Sequence, residues 1–186
     1  MGTRGKKKHV AGNKWEPVSE QRKPDQPKPL VFHSPYELTL DDKNRLLIPS
    51  DVRRRIVPQR DGEAFYLVEG VNDRLWLYLE NYYDSLVEPE QNELMPDIDA
   101  LAYDHWNLGS VQRIEMDKAG RILIPEAPLK KANLGKEVTL VGARDHLELW
   151  NRSEWNAYLE SLRQRKAEIA VKRRLRPTPP ANSSEV

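Results

Sequence analysis

An internal repeat constrains the fold of this chain more than any other feature. The twelve residues Leu38–Pro49 (LTLDDKNRLLIP) align without a gap on Ile114–Pro125 (IEMDKAGRILIP), and five positions are identical. A second block aligns after the later copy has lost four residues from a loop. Matches that keep their order across such a gap indicate a duplicated fold rather than shared composition. The identical pairs are Asp41/Asp117, Arg45/Arg121, Leu47/Leu123, Ile48/Ile124 and Pro49/Pro125, followed by Gly70/Gly142, Asp73/Asp145, Leu75/Leu147 and Leu77/Leu149.

Each copy is predicted to contain two β-hairpins, because alternating polar and apolar residues flank turn-like segments. Asn44 and Gly120 occupy the same position in the first turn, and these residue types accept a positive φ angle most readily. The first hairpins are predicted to pair Glu37–Leu40 with Leu46–Ile48, and Arg113–Met116 with Ile122–Ile124. The second are predicted to pair Phe65–Val68 with Leu75–Tyr78, and Val138–Val141 with Leu147–Trp150.

Helices are predicted between and after these strands. Ser50-Asp51 is expected to cap a short helix, Val52–Ile56, that Pro58 ends, while Asn81 and Ser153 are expected to cap later helices. The last helix should bury Trp155, Leu159 and Leu162, which recur at helical spacing. A linking helix should present an apolar face, with Trp106 as a packing anchor beside it. That face consists of Leu94, Ile98, Leu101, His105 and Leu108.

These elements describe a β-rich α+β chain of two tandem modules with helices at the module ends. We expect a disordered, basic, Pro-rich arm at residues 1–30, a first module at 33–88 and a linking helix at 89–110. A second module should follow at 111–160, and residues 161–186 should form a charged helix end and a disordered tail.

Composition excludes several classes of function. The chain has no cysteine and no apolar run near the roughly 20 residues that span a bilayer, so we expect a cytoplasmic protein without disulfides. Its four histidines are scattered, and no phosphate-binding loop or catalytic triad is evident. We therefore expect no enzyme activity, no cofactor, no metal and no small-molecule substrate.

The net charge of +1 hides an uneven distribution. Residues 1–30 hold eight Lys or Arg against three acids, and residues 161–186 hold seven against two. Residues 31–160 are therefore acidic, with 15 basic side chains against 24 acidic ones. Any contact with nucleic acid must come from a local basic surface or from the tails.

The repeated Asp-x-x-x-Arg is the best candidate for such a surface. The aspartate can close the turn and orient the arginine, whose planar fork suits phosphate or guanine O6 and N7. Two copies with basic neighbours favour DNA contact, although an exposed ion pair of purely structural value remains the alternative. The candidate DNA-binding residues are Asp41, Lys43, Arg45, Arg53, Asp117, Lys118 and Arg121; further basic neighbours are Arg54, Arg55, Lys130 and Lys131.

These motifs resemble the MraZ family, whose two repeats carry a pattern like Leu-Asp-x-Lys-Gly-Arg-Leu-x-Ile-Pro. Here it reads LDDKNRLLIP from Leu40 and MDKAGRILIP from Met116, with Asn44 at the usual glycine. Lys136–Gly142 and His146–Trp150 also look like the family's second repeat. The resemblance covers about residues 33–162.

The resemblance implies a pseudo-two-fold, swapped-hairpin β-barrel of two SpoVT/AbrB-like modules. It further implies ring-shaped homo-oligomers, nucleoid association, and transcriptional regulation through double-stranded DNA repeats in the promoter of the division and cell-wall gene cluster. Two alternatives stay open: a ring-forming scaffold whose arginines make subunit ion pairs, and an antitoxin-like DNA-binding protein of the same superfold. Ring size, operator sequence and the direction of regulation are not encoded in recognisable motifs.

Overall fold

The protein is described by a computed structural model over residues 29–87 and 97–174. The predictions for the N-terminal arm up to residue 28, for Leu94 and for the tail beyond residue 174 lie outside the described residues. Within those ranges the strands are β1 (Pro35–Thr39), β2 (Arg45–Leu47), β3 (Ala64–Glu69), β4 (Leu75–Leu79), β5 (Gln112–Glu115), β6 (Arg121–Leu123), β7 (Glu137–Gly142) and β8 (Leu147–Asn151). The helices are α1 (Ser50–Arg53), α2 (Pro58–Asp61), α3 (Glu80–Val87), α4 (Ile98–Asn107), α5 (Glu126–Lys131) and α6 (Arg152–Arg174), and a short 3₁₀ turn spans Val71–Asp73.

Six of the strands form one antiparallel sheet in the order β1-β7-β8-β4-β3-β5. The second hairpin of each repeat is confirmed, since β3 pairs with β4 and β7 pairs with β8. The two hairpins meet at the centre of the sheet, where Leu75 faces Leu149 and Leu77 faces Leu147. The pairing is reciprocal, since Leu75 faces the counterpart of Leu77 and Leu77 faces the counterpart of Leu75, as a pseudo-two-fold axis requires.

The predicted first hairpin of each repeat is confirmed at its turn, but the prediction that its two strands pair with each other is wrong. Backbone hydrogen bonds close both predicted turns, from Asn44 N to Asp41 O (2.9 Å) and from Gly120 N to Asp117 O (2.8 Å). Beyond the turns each strand pairs mainly with the other repeat: β1 with β7, β5 with β3, and β2 with β6. Within a hairpin an isolated Met116–Ile122 bridge is present. Alternation identifies a strand but not its partner, so the local pattern did not reveal this exchange.

The exchange gives the two repeats a single hydrophobic core. Four side chains in or directly after the two short strands are fully buried. They are Leu46 in β2, Ile48 after it, and Ile122 and Ile124 at the matching positions of the second repeat. They join the side chains of the large sheet in one cluster. Burial of apolar surface from both repeats in one cluster makes each repeat stabilise the other.

The helix predictions need correction at their ends. Helix α1 begins at Ser50 with Pro49 as its N-cap and without a side-chain cap bond, and Pro58 opens α2 rather than only ending α1. Strand β4 runs directly into α3 at Glu80, so Asn81 lies inside the helix and its amide donates to Arg60 O (3.0 Å). Strand β8 runs into α6 at Arg152 in the same way, which places Ser153 inside that helix. Direct strand-to-helix passage leaves no position for the predicted caps.

The linking helix is present but does not bury the predicted face. Asp97 caps α4 by accepting bonds from the backbone N–H groups of Asp99 (2.9 Å) and Ala100 (2.8 Å). None of the α4 residues is buried, and Trp106 is 52% exposed, so its predicted role as a packing anchor is wrong. Its ring instead lies near that of Tyr103, on the same helix.

Candidate functional site

The short strands β2 and β6 form a two-stranded antiparallel ribbon, separate from the six-stranded sheet. Leu46 faces Ile122 at its centre, and both side chains point into the core with no exposed area. Successive residues of a strand point to opposite faces, so the residues on either side of each buried one share the outer face. The outer-face residues are Arg45, Leu47, Arg121 and Leu123.

In the first turn the Asp41 carboxylate organises the backbone and the arginine together. Its Oδ1 accepts hydrogen bonds from the backbone N–H groups of Lys43 and Arg45, both at 2.9 Å. Its Oδ2 accepts from Arg45 Nε at 2.7 Å and lies 2.7 Å from Arg45 Nη2. A short acceptor side chain that bonds the backbone two residues ahead is a common way to stabilise a turn.

The second turn repeats this arrangement bond for bond. Asp117 Oδ1 accepts from the N–H groups of Ala119 and Arg121 (2.9 Å each), and Oδ2 contacts Arg121 Nε (2.9 Å) and Nη2 (2.8 Å). Asn44 and Gly120 both have positive φ angles, 58° and 80°, as the sequence predicted. The spacing of four residues is therefore fixed by a turn in which the aspartate closes the backbone and holds the arginine.

Both carboxylates are stabilised in their charged form. The hydrogen bond from the Arg45 side chain, with backbone bonds from Arg45 and Lys43, lowers the pKa of Asp41 from 3.8 to about 2. The pKa of Asp117 is also lowered, by the Arg121 backbone bond and then by its side chain. Both carboxylates are therefore ionised at neutral pH.

The geometry of each pair leaves part of the arginine available. A guanidinium carries five N–H donors, and the aspartate occupies Nε and one side of Nη2. The donors that remain are those of Nη1 and the second hydrogen of Nη2, which form the end of the planar fork. The Arg45 and Arg121 side chains are 31% and 34% exposed. Each turn thus holds a guanidinium in place while its end-on donors stay free of the carboxylate.

The other predicted residues are distributed unevenly around the ribbon. Lys43 and Lys118 lie exposed within the two turns, and among the described residues neither side chain forms an ion pair. Arg53 reaches the ribbon by donating from Nε to Ile48 O at 2.9 Å. The remaining basic neighbours are engaged elsewhere: Arg54 with Asp51, Arg55 with Val31 O, Lys130 with Glu126, and Lys131 with Glu69.

Sequence reasoning missed Leu47 and Leu123, which are 49% and 54% exposed on the outer face. Both belong to apolar runs that were assigned to strands without deciding which residues face outward. Leu47 faces Arg121 across the ribbon, and Arg45 faces Leu123. The alternation of a strand centred on a buried residue was the signal that could have identified them.

Within residues 29–87 and 97–174 there is no cluster of three or more His, Asp or Glu side chains that could hold a metal ion. In the same ranges no helix is long and apolar enough to cross a membrane. The distinctive chemistry of the ribbon is the repeated aspartate–arginine turn.

Comparison with known protein families matches the two segments that contain these turns. The model of the family described as "MraZ protein, putative antitoxin-like" matches twice, over residues 31–101 and 108–176. The chain belongs to the MraZ family. The two matches follow the two repeats, and each contains one aspartate–arginine turn.

Curated members of the MraZ family align along most of their length. "Transcriptional regulator MraZ" of Clostridium tetani is 31% identical over 128 residues, which cover 69% of this chain and 87% of that protein. The protein of the same name from Acetivibrio thermocellus is 30% identical over 128 residues, covering 69% and 86%. That of Heliobacterium modesticaldum is 30% identical over 142 residues, covering 76% and 96%.

Proposed function

We propose that the β2–β6 ribbon is the DNA-contacting surface of a sequence-specific, non-enzymatic transcriptional regulator. The observation that carries this proposal is the pair of identical turns, in which Asp41 holds Arg45 and Asp117 holds Arg121 on the outer face of one ribbon. Relatives of this chain are named as transcriptional regulators, which supports the same assignment.

The dimensions of DNA fit this surface. The major groove of B-DNA admits a two-stranded β-ribbon, and the end of an arginine fork matches guanine O6 and N7. Because each fork is already oriented by its aspartate, less side-chain entropy is lost when it binds a base. Lys43 and Lys118, beside the forks, are placed to contact backbone phosphates, which position a protein without reading sequence.

The charge distribution also supports a local contact. Residues 31–160 are acidic overall, so a large basic face is not the source of attraction. Affinity would instead come from a few cations concentrated at the ribbon, with the acidic remainder of the domain opposing contact elsewhere. The DNA affinity of such a protein depends more strongly on the contacted sequence than does the affinity of a protein that is basic throughout.

The proposal includes an assembly and a target. Exchange of strand partners between the repeats supports a swapped-hairpin barrel of two SpoVT/AbrB-like modules, and several copies would form a closed ring. A ring presents one ribbon per subunit, so it suits DNA with repeated short sequences. We place these repeats in the promoter of the division and cell-wall gene cluster, and the protein in the cytoplasm at the nucleoid.

A scaffold function is the second candidate, and one observation favours it. Leu47 and Leu123 expose apolar surface on the same face as the arginines, and exposed apolar side chains beside charged ones are also typical of protein contacts. In that case the arginines would pair with acidic groups of another subunit.

A mobility-shift experiment with duplex DNA from the region upstream of the protein's own gene tests the proposal. We expect a discrete complex that persists when salt is raised from about 50 to 200 mM, while binding to a random-sequence duplex is lost. Equal affinity for both duplexes at both salt concentrations would contradict sequence-specific regulation and favour the scaffold.

A further inference from the structure

The two turns of the ribbon differ in one contact that the repeat does not preserve. At the offset that aligns Arg45 with Arg121, Arg53 of α1 aligns with Leu129 of α5. Arg53 is half-buried and polar at its tip, whereas Leu129 is buried in the core. The position therefore has a different function in the two repeats.

Arg53 lies against the turn of the other repeat. A Cβ atom placed on Gly120 would lie only 2.7 Å from Cδ, Cζ and Nη1 of Arg53, so the guanidinium rests directly on the glycine. Arg53 Nε donates to Ile48 O, and Ile48 N donates to Gly120 O at 3.0 Å. These bonds fasten the first repeat's arginine to the second repeat's turn.

The tip of Arg53 keeps donors for a ligand. Nε is used by the Ile48 carbonyl, and within the described ranges no carboxylate forms an ion pair with this side chain. Its neighbour Arg54, by contrast, pairs with Asp51. The Nη1 and Nη2 groups of Arg53 therefore stand beside Gly120 as a second guanidinium at the turn that Asp117 and Arg121 close.

Among the residues that the structure describes, the turn of the first repeat has no equivalent contact. Beside Asn44 lies an open cavity of ≈ 340 Å³ lined by Leu129, Lys130 and the end of α5. Lys130, the basic residue next to Leu129 in the chain, is paired with Glu126 at 2.6 Å. Space occupied by a guanidinium at one turn is thus empty at the other.

We infer that the two turns are unequal DNA half-sites: Arg53 completes the second turn as an additional guanidinium, and the first turn binds with Arg45 as its one guanidinium. One chain then sits on its DNA site in a fixed direction despite its internal pseudo-symmetry. This inference rests on the proposed function of the ribbon. Charge-assisted bonds to phosphate are stronger than neutral ones, which makes the second half-site the tighter of the two.

Hydroxyl-radical footprinting and fluorescence anisotropy on the upstream duplex test this inference with the full-length chain. R45A and R121A first define which protected sugars belong to each turn. We expect R53L, which installs the residue of the other repeat, to remove the same protections as R121A and none of those lost in R45A. Affinity should fall about tenfold and the salt slope by about one. R54L removes the same charge one residue away and should change neither half of the footprint selectively.

One further variant displaces Arg53 without altering it, and a second serves as its control. G120N installs the residue that tolerates a positive φ at the other turn, but its Cβ would push the Arg53 guanidinium away. We expect G120N to reproduce the R53L footprint and N44G, the reverse change at the first turn, to preserve the wild-type footprint. Equal loss of protection at both half-sites in R53L, or identical footprints of R53L and R54L, would overturn the inequality of the half-sites but not the proposed function. A wild-type protein that gives no footprint would overturn the proposed function and the inequality with it.

Discussion

Arg45 and Arg121 lie diagonally across the β2–β6 ribbon, one on each side of the buried Leu46–Ile122 pair. They come from different repeats, yet each is held by the same three contacts to an aspartate. Two-fold arrangements of this kind usually require two protein chains. Here one chain contains both halves, because its repeats exchange strands to build the ribbon.

The ribbon depends on its buried central pair, so Leu46→Ala should destabilise the protein strongly. Leu46 has no exposed area, and truncation of a buried leucine costs about 2–5 kcal/mol of unfolding free energy. Leu47→Ala, at the half-exposed neighbour, should cost at most about 0.5 kcal/mol. Urea unfolding followed by circular dichroism measures both, and equal losses would mean that the ribbon is not packed as described.

The Asp41 carboxylate should resist protonation as long as Arg45 is present. Its folded pKa of about 2 lies below the ordinary 3.8, so its contribution to stability is present above pH 3.8 and is lost as pH falls toward 2. In an NMR titration of the carboxyl carbon we expect a midpoint near the lower value. R45A should return the midpoint toward 3.8. A midpoint near 3.8 in the unaltered protein would contradict the turn geometry.

His146 should make stability decrease as pH rises above neutral. Burial lowers its pKa, but hydrogen bonds to Glu148 and Asp145 outweigh burial, and the pKa is raised above 6.5. The imidazole lies against the rings of Trp76 and Tyr78, and Tyr82 shares the Asp145 carboxylate. Its contribution is therefore complete below pH 6.5 and is lost as pH rises through the higher folded pKa.

His146→Gln tests this directly. The variant should flatten the decline of unfolding free energy as pH rises above about 6.5, the ordinary pKa of histidine. His33→Gln is the matched control, because exposed His33 contacts Ser34 in the described structure and should leave the decline intact. An unchanged slope in His146→Gln would refute the charged imidazole.

The protein should assemble into a closed homo-oligomer. Strands β1 and β5 form the two edges of the large sheet, and apolar side chains are exposed on the ribbon and on α4. Open edges and apolar patches both favour association. Light scattering should give one mass, several times 21.6 kDa, that stays constant on dilution. A monomer at micromolar concentration would exclude the ring.

Local patterns in the sequence predicted the turns and the second hairpins, but not which strands pair between the repeats. The positive φ angles of Asn44 and Gly120 follow from residue type and turn position, and the β3–β4 hairpin follows from alternation. The pairing of β2 with β6 depends on contacts 76 residues apart, which no local pattern contains. Hairpins were therefore predicted where strands are exchanged.

The candidate site shows the same division. The four-residue spacing of Asp41 and Arg45 specifies a local turn, and that turn is present with the expected bonds. The contact of Arg53 with Gly120 joins two repeats and had no sequence signal of its own. The three consecutive arginines at positions 53–55 have three separate partners, Ile48 O, Asp51 and Val31 O. Tertiary packing, not composition, decides which cation reaches the ribbon.

The most direct test is the double variant R45A/R121A, measured in parallel for DNA binding, mass and melting temperature. Each lost bidentate base contact should weaken binding about ten- to hundredfold, and linked subunits multiply that loss. We predict that specific binding to the upstream duplex disappears while mass and melting temperature stay nearly unchanged, because both arginines lie on the outer face. Assemblies that dissociate would make these arginines subunit contacts, and a double variant that still binds the duplex would contradict the central claim.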